Sequence, residues 1–485
     1  SGALAFHLSG LRRKTGDYSI PGYAEHEHAG EEAPEEDEPF GILPNSAVET
    51  ERGAIGASWV GRNGFFGASL SGLNNDYGVP GHAHGHEGEP GTEEEEGVVI
   101  GLEQRRFDAE GTWRFSEGLV RAIRGRFGAA DYQHTEFEGT EVGTRFTNEQ
   151  WEGRLEVEHH GAEPLSGSVG VQLGARSFEA KGEEAYVPPS EKTNFSAFLF
   201  QELERETLRF QVGSRVEAQW AEALPTSTEK TDWGFSVSGG MNWSILEDLS
   251  LALTAARSQR LPSLEELFSD GPHAATFAYE IGNADLSSET AHSLDAKLHL
   301  TEGLFRVEAS VFLNLFDGFI SQEFTGSEED GFPVLQTVQG DASFLGGEGS
   351  LEFDLIHRGR HHLLVEGWGD YVRAELTETS EALPRIPPLR FGSRLRYNGG
   401  TIRADVGLTK VAEQDRIAPL EEESEGYSMV DMSVGYRLFT GGVTHDFILR
   451  GSNLTDQEAR NHTSFLKELA PLPGREIRFM YRVYF

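Results

Sequence analysis

The chain has 485 residues with 80 acidic and 41 basic side chains, a net charge of −39, and no cysteine. Such an acidic surface repels nucleic acid and attracts cations, and the missing thiols exclude disulfide bonds and thiolate metal sites. The chain also has no apolar run long enough for a transmembrane helix. A transmembrane β-barrel stays open, because only every second residue of its strands faces lipid. The 58 glycines and 31 phenylalanines favour a fold of many strands and turns.

Two predicted long loops near the N-terminus carry the same short cassette. Each copy has the pattern Asp-Tyr-x-(Ile/Val)-Pro-Gly, followed by His-x-His and several glutamates. The first copy lies within 17–38 and the second within 76–96. Because two copies in adjacent loops are hard to attribute to chance, we interpret both as parts of one functional surface. The candidate ligands in the two cassettes are Glu25, His26, Glu27, His28, His82, His84, His86 and Glu87.

The chemistry of the cassettes points to a divalent metal. Imidazole and carboxylate groups in a cysteine-free site suit Zn²⁺, with Ni²⁺, Cu²⁺ and Co²⁺ as competitors. A flexible loop forms no rigid cage by itself, so we expect moderate affinity that falls in acid, where histidine is protonated. The competing interpretation is a solvated acidic loop with incidental histidines. The duplication favours metal capture, and we expect the two loops to share one ion.

A two-residue period recurs along the rest of the chain. In 150–160, tryptophan, leucine and valine side chains share one face, and glutamate, arginine and histidine side chains share the other. The segments 305–315 and 427–439 alternate in the same way. This period with one charged face predicts half-buried antiparallel strands. The charged faces are too polar for the interior of a small barrel, so they indicate a water-filled or plugged lumen.

Predicted connections alternate between short turns and long loops, which is typical of a membrane barrel. The short turns include 62–64, 358–360 and 398–400. We count about ten long loops and therefore expect about 20 strands. The predicted long loops are 14–48, 76–97, 136–143, 179–191, 222–230, 259–289, 322–333, 378–386, 414–425 and 455–472.

The connection near the middle of the chain, 256–290, contains one predicted helical turn and closely spaced turn residues, so we expect an ordered loop. It closely resembles the signature found inside the barrel of TonB-dependent outer-membrane receptors. The matching residues are Arg260, Pro262, Glu266, Leu267, Gly282, Asn283, Leu286, Glu289 and Thr290. His273 lies in the same loop beside Asp270 and Glu280. We interpret it as a second-stage metal ligand, with a simple hydrogen-bonding role in the loop as the alternative.

The last predicted strand, 475–485, carries alternating apolar residues and ends on phenylalanine. This pattern resembles the signal read by the outer-membrane assembly machinery, and 451–456 and 472–475 match the end of the receptor barrel. The competing interpretation, the last strand of a soluble sheet, would leave a large apolar face exposed. The apolar face consists of Ile477, Phe479, Tyr481, Val483 and Phe485.

The resemblance implies an all-β fold, a transmembrane antiparallel β-barrel in the bacterial outer membrane with lipid around it. The family barrel has about 22 strands and follows a plug domain. We therefore expect 1–485 to be the receptor β-barrel domain, with about 20 of those strands present. On this interpretation the N-terminal plug and the first hairpin are missing. Residues 1–10 lack the features of a signal peptide, so a leader was removed or the chain begins part-way through a longer protein.

The duplicated cassettes resemble those of the zinc-uptake subfamily of these receptors. That resemblance implies energy-coupled import of Zn²⁺ as the transported ligand, with the TonB energy-coupling complex acting through the plug. It implies no organic cofactor, no nucleic-acid partner and no enzymatic activity, and the sequence shows no nucleophile elbow or phosphate loop. The alternatives are a siderophore or haem receptor, a surface metal-binding protein without transport, and a passive porin. Haem uptake would favour histidines set among aromatics, which the cassettes are not.

Overall fold

One large antiparallel sheet dominates the molecule. The structure is a computed structural model that describes residues 2–26, 38–81, 97–160, 164–182, 185–273, 276–329 and 331–485. No helix in these ranges is long and apolar enough to cross a membrane. The elements are β1 (Ala3–Lys14), β2 (Ser19–Tyr23), β3 (Phe40–Ile42), β4 (Val48–Val60), β5 (Gly64–Gly78), β6 (Val98–Arg114), β7 (Val120–Glu138), β8 (Glu141–His160), β9 (Leu165–Gly182), β10 (Ser190–Arg205), β11 (Leu208–Ala223), β12 (Thr228–Leu246), β13 (Leu249–Arg260), α1 (Leu264–Phe268), β14 (Asp270–His273), β15 (Ala278–Ile281), β16 (Glu289–Glu302), β17 (Phe305–Glu329), β18 (Phe332–Arg358), β19 (His361–Leu376), β20 (Arg390–Asn398), β21 (Ile402–Val411), β22 (Tyr427–Thr440), β23 (Val443–Ser452) and β24 (Glu476–Tyr484).

The sheet is a meander in chain order. It contains 22 of the strands in the described ranges, and β2 and β3 form a separate two-stranded sheet. Two members, β14 and β15, are short strands within the connection from β13 to β16, and β15 adds a short parallel pairing to β18. The remaining twenty strands pair antiparallel with their chain neighbours, from β1 with β4 to β23 with β24. This result confirms the all-β fold and the prediction of about 20 strands.

Connections of different length lie at opposite ends of the sheet. At one end, the bounds of consecutive strands leave no more than five residues between them, as in β4–β5 and β22–β23. At the other end lie the longer connections, of which we name the four longest the first loop (15–47), second loop (79–97), central loop (261–288) and last loop (453–475). Long loops at one end only are what an outer-membrane barrel requires.

Some predicted long loops are wrong in extent, because the ladder continues through them. The predicted loop 136–143 is a hairpin in which Glu138 pairs with Glu141, and Gly139 takes a positive φ of 59° at its tip. The predicted loop 322–333 lies almost entirely within β17 and β18, and Gly331 has a φ of 81° at that turn. Glycine permits these tight turns, and the flanking polar residues, which resemble loop composition, are paired strand residues instead.

The two ends of the ladder are brought together by their loops. Within the described residues, β1 pairs with β4 and β24 pairs with β23, so these two strands end the ladder. Tyr18 Oη, after β1, donates to the carbonyl oxygen of Pro471, before β24, at 2.9 Å. The backbone nitrogen of Gly474 donates to the carbonyl oxygen of Ser19 at 2.8 Å. The sheet is therefore rolled so that the long-loop ends of its first and last strands come close together.

The two faces of the rolled sheet differ as the alternation predicted. On β17, Val311 and Leu315 are exposed on the apolar face. On the opposite face, Glu308 forms an ion pair with Lys297 of β16 at 2.9 Å, and Ser310 donates to Glu348 of β18 at 3.1 Å. Cross-strand polar pairs on one face and apolar side chains on the other suit a wall between lipid and a wet lumen.

Buried apolar clusters lie at the long-loop end, where the loops pack on the sheet. One cluster supports the central loop and a second supports the first loop. The first includes Phe146, Phe178, Val187, Leu264, Leu267, Phe268, Leu286 and Ile320. The second contains Ile20, Ala24 and Leu43, with Tyr18 and Ala470 packed against it. The central loop and the first loop are therefore each packed on an apolar core, which can hold their side chains in fixed positions.

Candidate functional site

The central loop begins with a capped helical turn. Ser263 Oγ accepts a hydrogen bond from the Glu266 backbone at 3.2 Å, and Ser263 N donates to Glu266 Oε2 at 2.8 Å. This capping box satisfies two backbone donors at the helix start. Leu264, Leu267 and Phe268 of α1 are buried in the apolar cluster below. The predicted helical turn is confirmed, and it fixes the path of the loop that follows.

The charged residues of the signature bind one another. Arg260 Nη1 donates to Glu266 Oε2 at 2.9 Å, and Arg260 Nη2 donates to Glu289 Oε2 at 3.2 Å. Glu289 Oε2 also accepts the backbone nitrogen of Ile320 at 2.9 Å. One guanidinium therefore ties the helix to the end of the loop, in the paired geometry that arginine favours with carboxylates.

The signature glycine is required by close backbone approach. A Cβ on Gly282 would lie 2.7 Å from backbone atoms of Leu267, Phe268 and Ser269. The neighbouring Asn283 donates its backbone N–H to the carbonyl oxygen of Glu266 at 2.8 Å. The signature residues Gly282 and Asn283 therefore let the segment that follows β15 pack closely against α1.

His273 sits in a polar cluster on this scaffold. Its Nδ1 lies 2.9 Å from Glu280 Oε1, and Thr276 Oγ1 donates to the same carboxylate oxygen at 2.7 Å. The imidazole stacks on the ring of Tyr186, with centroids 4.1 Å apart and planes 11° apart. Burial raises the pKa of Glu280, but hydrogen bonds from His273, Thr276 and Gln322 and the charge of His273 outweigh it, so the pKa lies below its usual value. Glu280, only 8% exposed, therefore stays ionised beside His273.

The first loop is folded against the last loop. Asp17 Oδ1 accepts the backbone nitrogen of Ser46 at 2.8 Å, which closes the base of the first cassette. The backbone nitrogen of His26 donates to the carbonyl oxygen of Glu468 at 2.8 Å, and His26 Nδ1 lies 3.8 Å from Glu468 Oε2. Glu25 donates its backbone N–H to Glu38 Oε1 at 3.1 Å. The first histidine of the first cassette, His26, is thereby held at the edge of the last loop.

The second loop is joined to the first through one amide. Asn45 Nδ2 donates to the carbonyl oxygen of Val79 at 3.0 Å and to that of Val98 at 2.8 Å. Val79 is the first residue of the second loop, and Val98, the first residue of β6, directly follows its last residue. Gly81, just before the second histidine tract, is close enough to Leu469 of the last loop that an added Cβ would lie 2.7 Å from that side chain. The bases of both cassette loops and the last loop therefore meet in one place.

The structure places some predicted ligands and leaves others aside. Glu25, His26 and His273 are described, and the two histidines have separate partners, Glu468 and Glu280. Within the described residues, no three histidine, aspartate or glutamate side chains are arranged to hold a metal ion. The predicted ligands that lie outside the described residues are Glu27, His28, His82, His84, His86 and Glu87.

Four residues at this end were not identified from the sequence. Tyr186, Arg460 and Glu468 contact predicted site residues, yet they lie far from them along the chain. His462 is buried, with Nδ1 2.9 Å from Ser424 Oγ and Nε2 3.3 Å from Glu421 Oε1. No local pattern marks these residues, because each partner comes from a different loop.

Comparison with known proteins identifies the architecture. Residues 44–453 match a family described as TonB dependent receptor-like, beta-barrel. The solved structure of the copper transporter OprC is similar, with a TM-score of 0.80 and 17% identity over 99% of this chain and 75% of that one. The FrpB iron transporter from Neisseria meningitidis gives 0.76 and 11% over 100% and 78%. The siderophore receptor PirA from Acinetobacter baumannii gives 0.72 and 14% over 99% and 75%. At these identities the similarity establishes a shared fold.

Proposed function

The chain belongs to the TonB-dependent receptor family, and we propose that it serves energy-coupled uptake of zinc. It is a bacterial outer-membrane β-barrel of a family of receptors and transporters. The similar structures are named as transporters or receptors for copper, iron and siderophores. Zinc as the substrate, and coupling to the TonB complex through the family's plug domain, are the parts that we propose for this chain.

The observation that carries the proposal is the convergence of the two cassette loops. Asn45 donates to the carbonyl oxygens of Val79 and Val98, which flank the second loop, so the bases of the first and second loops lie side by side. Neither His-x-His pair can fill the four positions that zinc prefers. If the two tracts bound one ion together, they would supply the four ligands. The nearby glutamates would concentrate cations at the mouth of the barrel.

His273 is suited to a second stage of the same path. Its Nδ1 is engaged by Glu280, which leaves Nε2 as the ring atom available for a metal. Carboxylates that hold one ring nitrogen of a histidine orient the other nitrogen toward zinc in many metal sites. A zinc ion released from the cassettes would therefore meet an oriented imidazole inside the mouth.

The donor types favour zinc over copper(I). The chain has no cysteine and four methionines, and the cassettes contain neither, whereas copper(I) prefers soft sulfur ligands. Ni²⁺, Cu²⁺ and Co²⁺ accept the same imidazole and carboxylate groups and remain competitors. A haem receptor would favour histidines set among aromatic side chains, whereas a surface metal-binding protein would use these same loops to bind metal without transport.

The proposal is tested by removing the cassette histidines together. Their replacement by alanine should weaken Zn²⁺ binding about tenfold or more at neutral pH, since loss of metal-site partners costs at least that. Isothermal calorimetry of the detergent-solubilised chain measures the affinity. Lowering the pH below about 6.5 should weaken wild-type binding in the same direction. The substitutions are His26→Ala, His28→Ala, His82→Ala, His84→Ala and His86→Ala.

A matched control removes five histidines from the short-turn end of the barrel. This variant has the same loss of histidine but keeps the cassettes, so its zinc affinity should equal that of the wild type. Equal affinity in the cassette variant would show that the tracts are solvated acidic loops. The control substitutions are His159→Ala, His160→Ala, His357→Ala, His361→Ala and His362→Ala.

A further inference from the structure

A buried arginine in the last loop binds the backbone of two loops at once. Arg460 is 7% exposed, and its Nε donates to Glu458 Oε1 at 3.1 Å. A guanidinium offers five N–H donors in a rigid plane, so it can connect several carbonyl groups with fixed spacing. Its other acceptors are the carbonyl oxygens of Tyr23 (3.3 Å), Ala24 (2.9 Å), Glu25 (3.0 Å), Lys467 (2.9 Å) and Glu468 (2.9 Å).

These contacts determine where His26 and Glu468 lie. Arg460 bonds the carbonyl of Glu25, the residue before His26, and the carbonyl of Glu468 itself. The His26 backbone nitrogen then donates to that same Glu468 carbonyl at 2.8 Å. The two side chains are consequently neighbours although they are more than four hundred residues apart in sequence.

The distance between the two side chains suits a shared metal ion. His26 Nδ1 lies 3.8 Å from Glu468 Oε2. Two ligand atoms of a tetrahedral zinc ion, each about 2.0–2.1 Å from the metal, are about 3.3 Å apart. A small side-chain rotation covers the difference. The other carboxylate oxygen, Oε1, faces Lys467 Nζ at 3.7 Å, which leaves Oε2 on the side of His26.

We name the cassette histidines and glutamates of the first and second loops together the capture surface, and we propose that Glu468 is a further metal ligand of it. Arg460 is then the positioning residue that sets Glu468 beside His26. This inference rests on the proposed zinc function and extends it to a third loop. The first cassette contributes His26, the last loop contributes Glu468, and the ion is bound between them. A carboxylate here also offsets the positive charge of the arriving ion.

The first test is the isosteric substitution Glu468→Gln. It keeps the shape of the side chain but removes the anionic ligand, so Zn²⁺ affinity measured by calorimetry should fall about tenfold. Glu423→Gln is the matched control, because Glu423 is an exposed glutamate in the adjacent loop and its loss changes net charge equally. Equal affinities in the two variants would overturn the assignment of Glu468 as a ligand.

The second test separates positioning by Arg460 from a merely structural role. Arg460→Lys keeps the charge but cannot bridge carbonyl groups of both loops. We expect it to weaken zinc binding several-fold, and to add no further loss in a His26→Ala background. Coupled sites give such non-additive effects, whereas independent effects add. Additive losses would overturn the positioning role, and thermal unfolding of each variant checks that the barrel is intact.

The outcomes distinguish this inference from the proposed function. If the five-histidine variant loses zinc and Glu468→Gln does not, the inference is wrong and the proposed function stands. If the five-histidine variant binds zinc like the wild type, the proposed function is wrong. Absence of zinc binding by the wild type would overturn both.

Discussion

The charged residues of the signature and His273 each have an oppositely charged partner within the described residues. Arg260 is paired with Glu266 and Glu289, and His273 with Glu280. Burying an unpaired charge costs free energy. In each pair, one charged side chain therefore offsets the cost of burying its partner at the mouth of the barrel. This arrangement gives the loop a rigid framework, and it also makes the framework sensitive to acid.

The acid sensitivity of Glu280 is a testable consequence. Its pKa is lowered in the folded protein, so its ionised form adds stability above the unfolded pKa of about 4.3. That stability is lost as the pH falls through the folded pKa. We expect cleavage of the central loop by pepsin to increase as the pH falls from about 5 to about 3.

Glu280→Gln should remove most of that pH dependence. The variant should already be cleaved faster than the wild type at about pH 5, and the two should converge as the wild-type carboxylate becomes protonated. Asp285→Asn, at an exposed position of the same loop, is the control and should behave like the wild type. A variant that keeps the full wild-type pH dependence would contradict this account.

The central loop as an element illustrates what a sequence can and cannot convey. Its helical turn and its turn residues were predicted, because capping boxes and glycine turns are local patterns. The pairing of Arg260 with Glu289 was not predicted, since the two residues are separated by the whole loop. The lengths of some other predicted loops, such as 136–143 and 322–333, were overestimated because glutamate and glycine occur in loops and also in paired strands.

Gly282 offers a direct test of how that element is packed. Gly282→Ala would place a methyl group 2.7 Å from the backbone of α1, and overpacking of this kind costs about 1–3 kcal/mol. We expect faster proteolysis of the central loop at neutral pH while the strands stay protected. Gly16→Ala, at a loop glycine with nothing within 4 Å, should have no such effect. Equal protection of both variants would mean that the loop can move away from α1 without loss.

The molecule as a whole combines a fold that is local in origin with a site that is not. The strands could be predicted because apolar and polar residues alternate along them, according to the face on which each side chain lies. Twenty strands with this pattern form the wall of the barrel. The capture surface that we propose depends on Asn45, which joins the first loop to the second, and on Arg460 and Glu468, which join the first loop to the last. Such contacts arise only after the sheet has rolled, so no short window of sequence contains them.

The net charge of the molecule predicts how zinc should arrive. With 80 acidic and 41 basic side chains, the chain attracts cations over a distance set by ionic strength. The Debye length falls from about 30 Å at 0.01 M salt to about 10 Å at 0.1 M. We therefore expect the association rate constant for Zn²⁺, measured by stopped-flow with a competing fluorescent chelator, to fall steeply over this range.

A variant with fewer acidic residues near the mouth identifies which charges matter. The run at 93–96 follows the second histidine tract and contains four consecutive glutamates. Their replacement by glutamine should lower the association rate at low salt and flatten its salt dependence, while changing the dissociation rate less, because steering acts on the encounter. Replacement of four glutamates at the short-turn end, Glu117, Glu206, Glu247 and Glu302, supplies a variant of equal charge. If both variants lose the salt dependence equally, the attraction comes from net charge as a whole, and the acidic run at the cassette has no special part in capture.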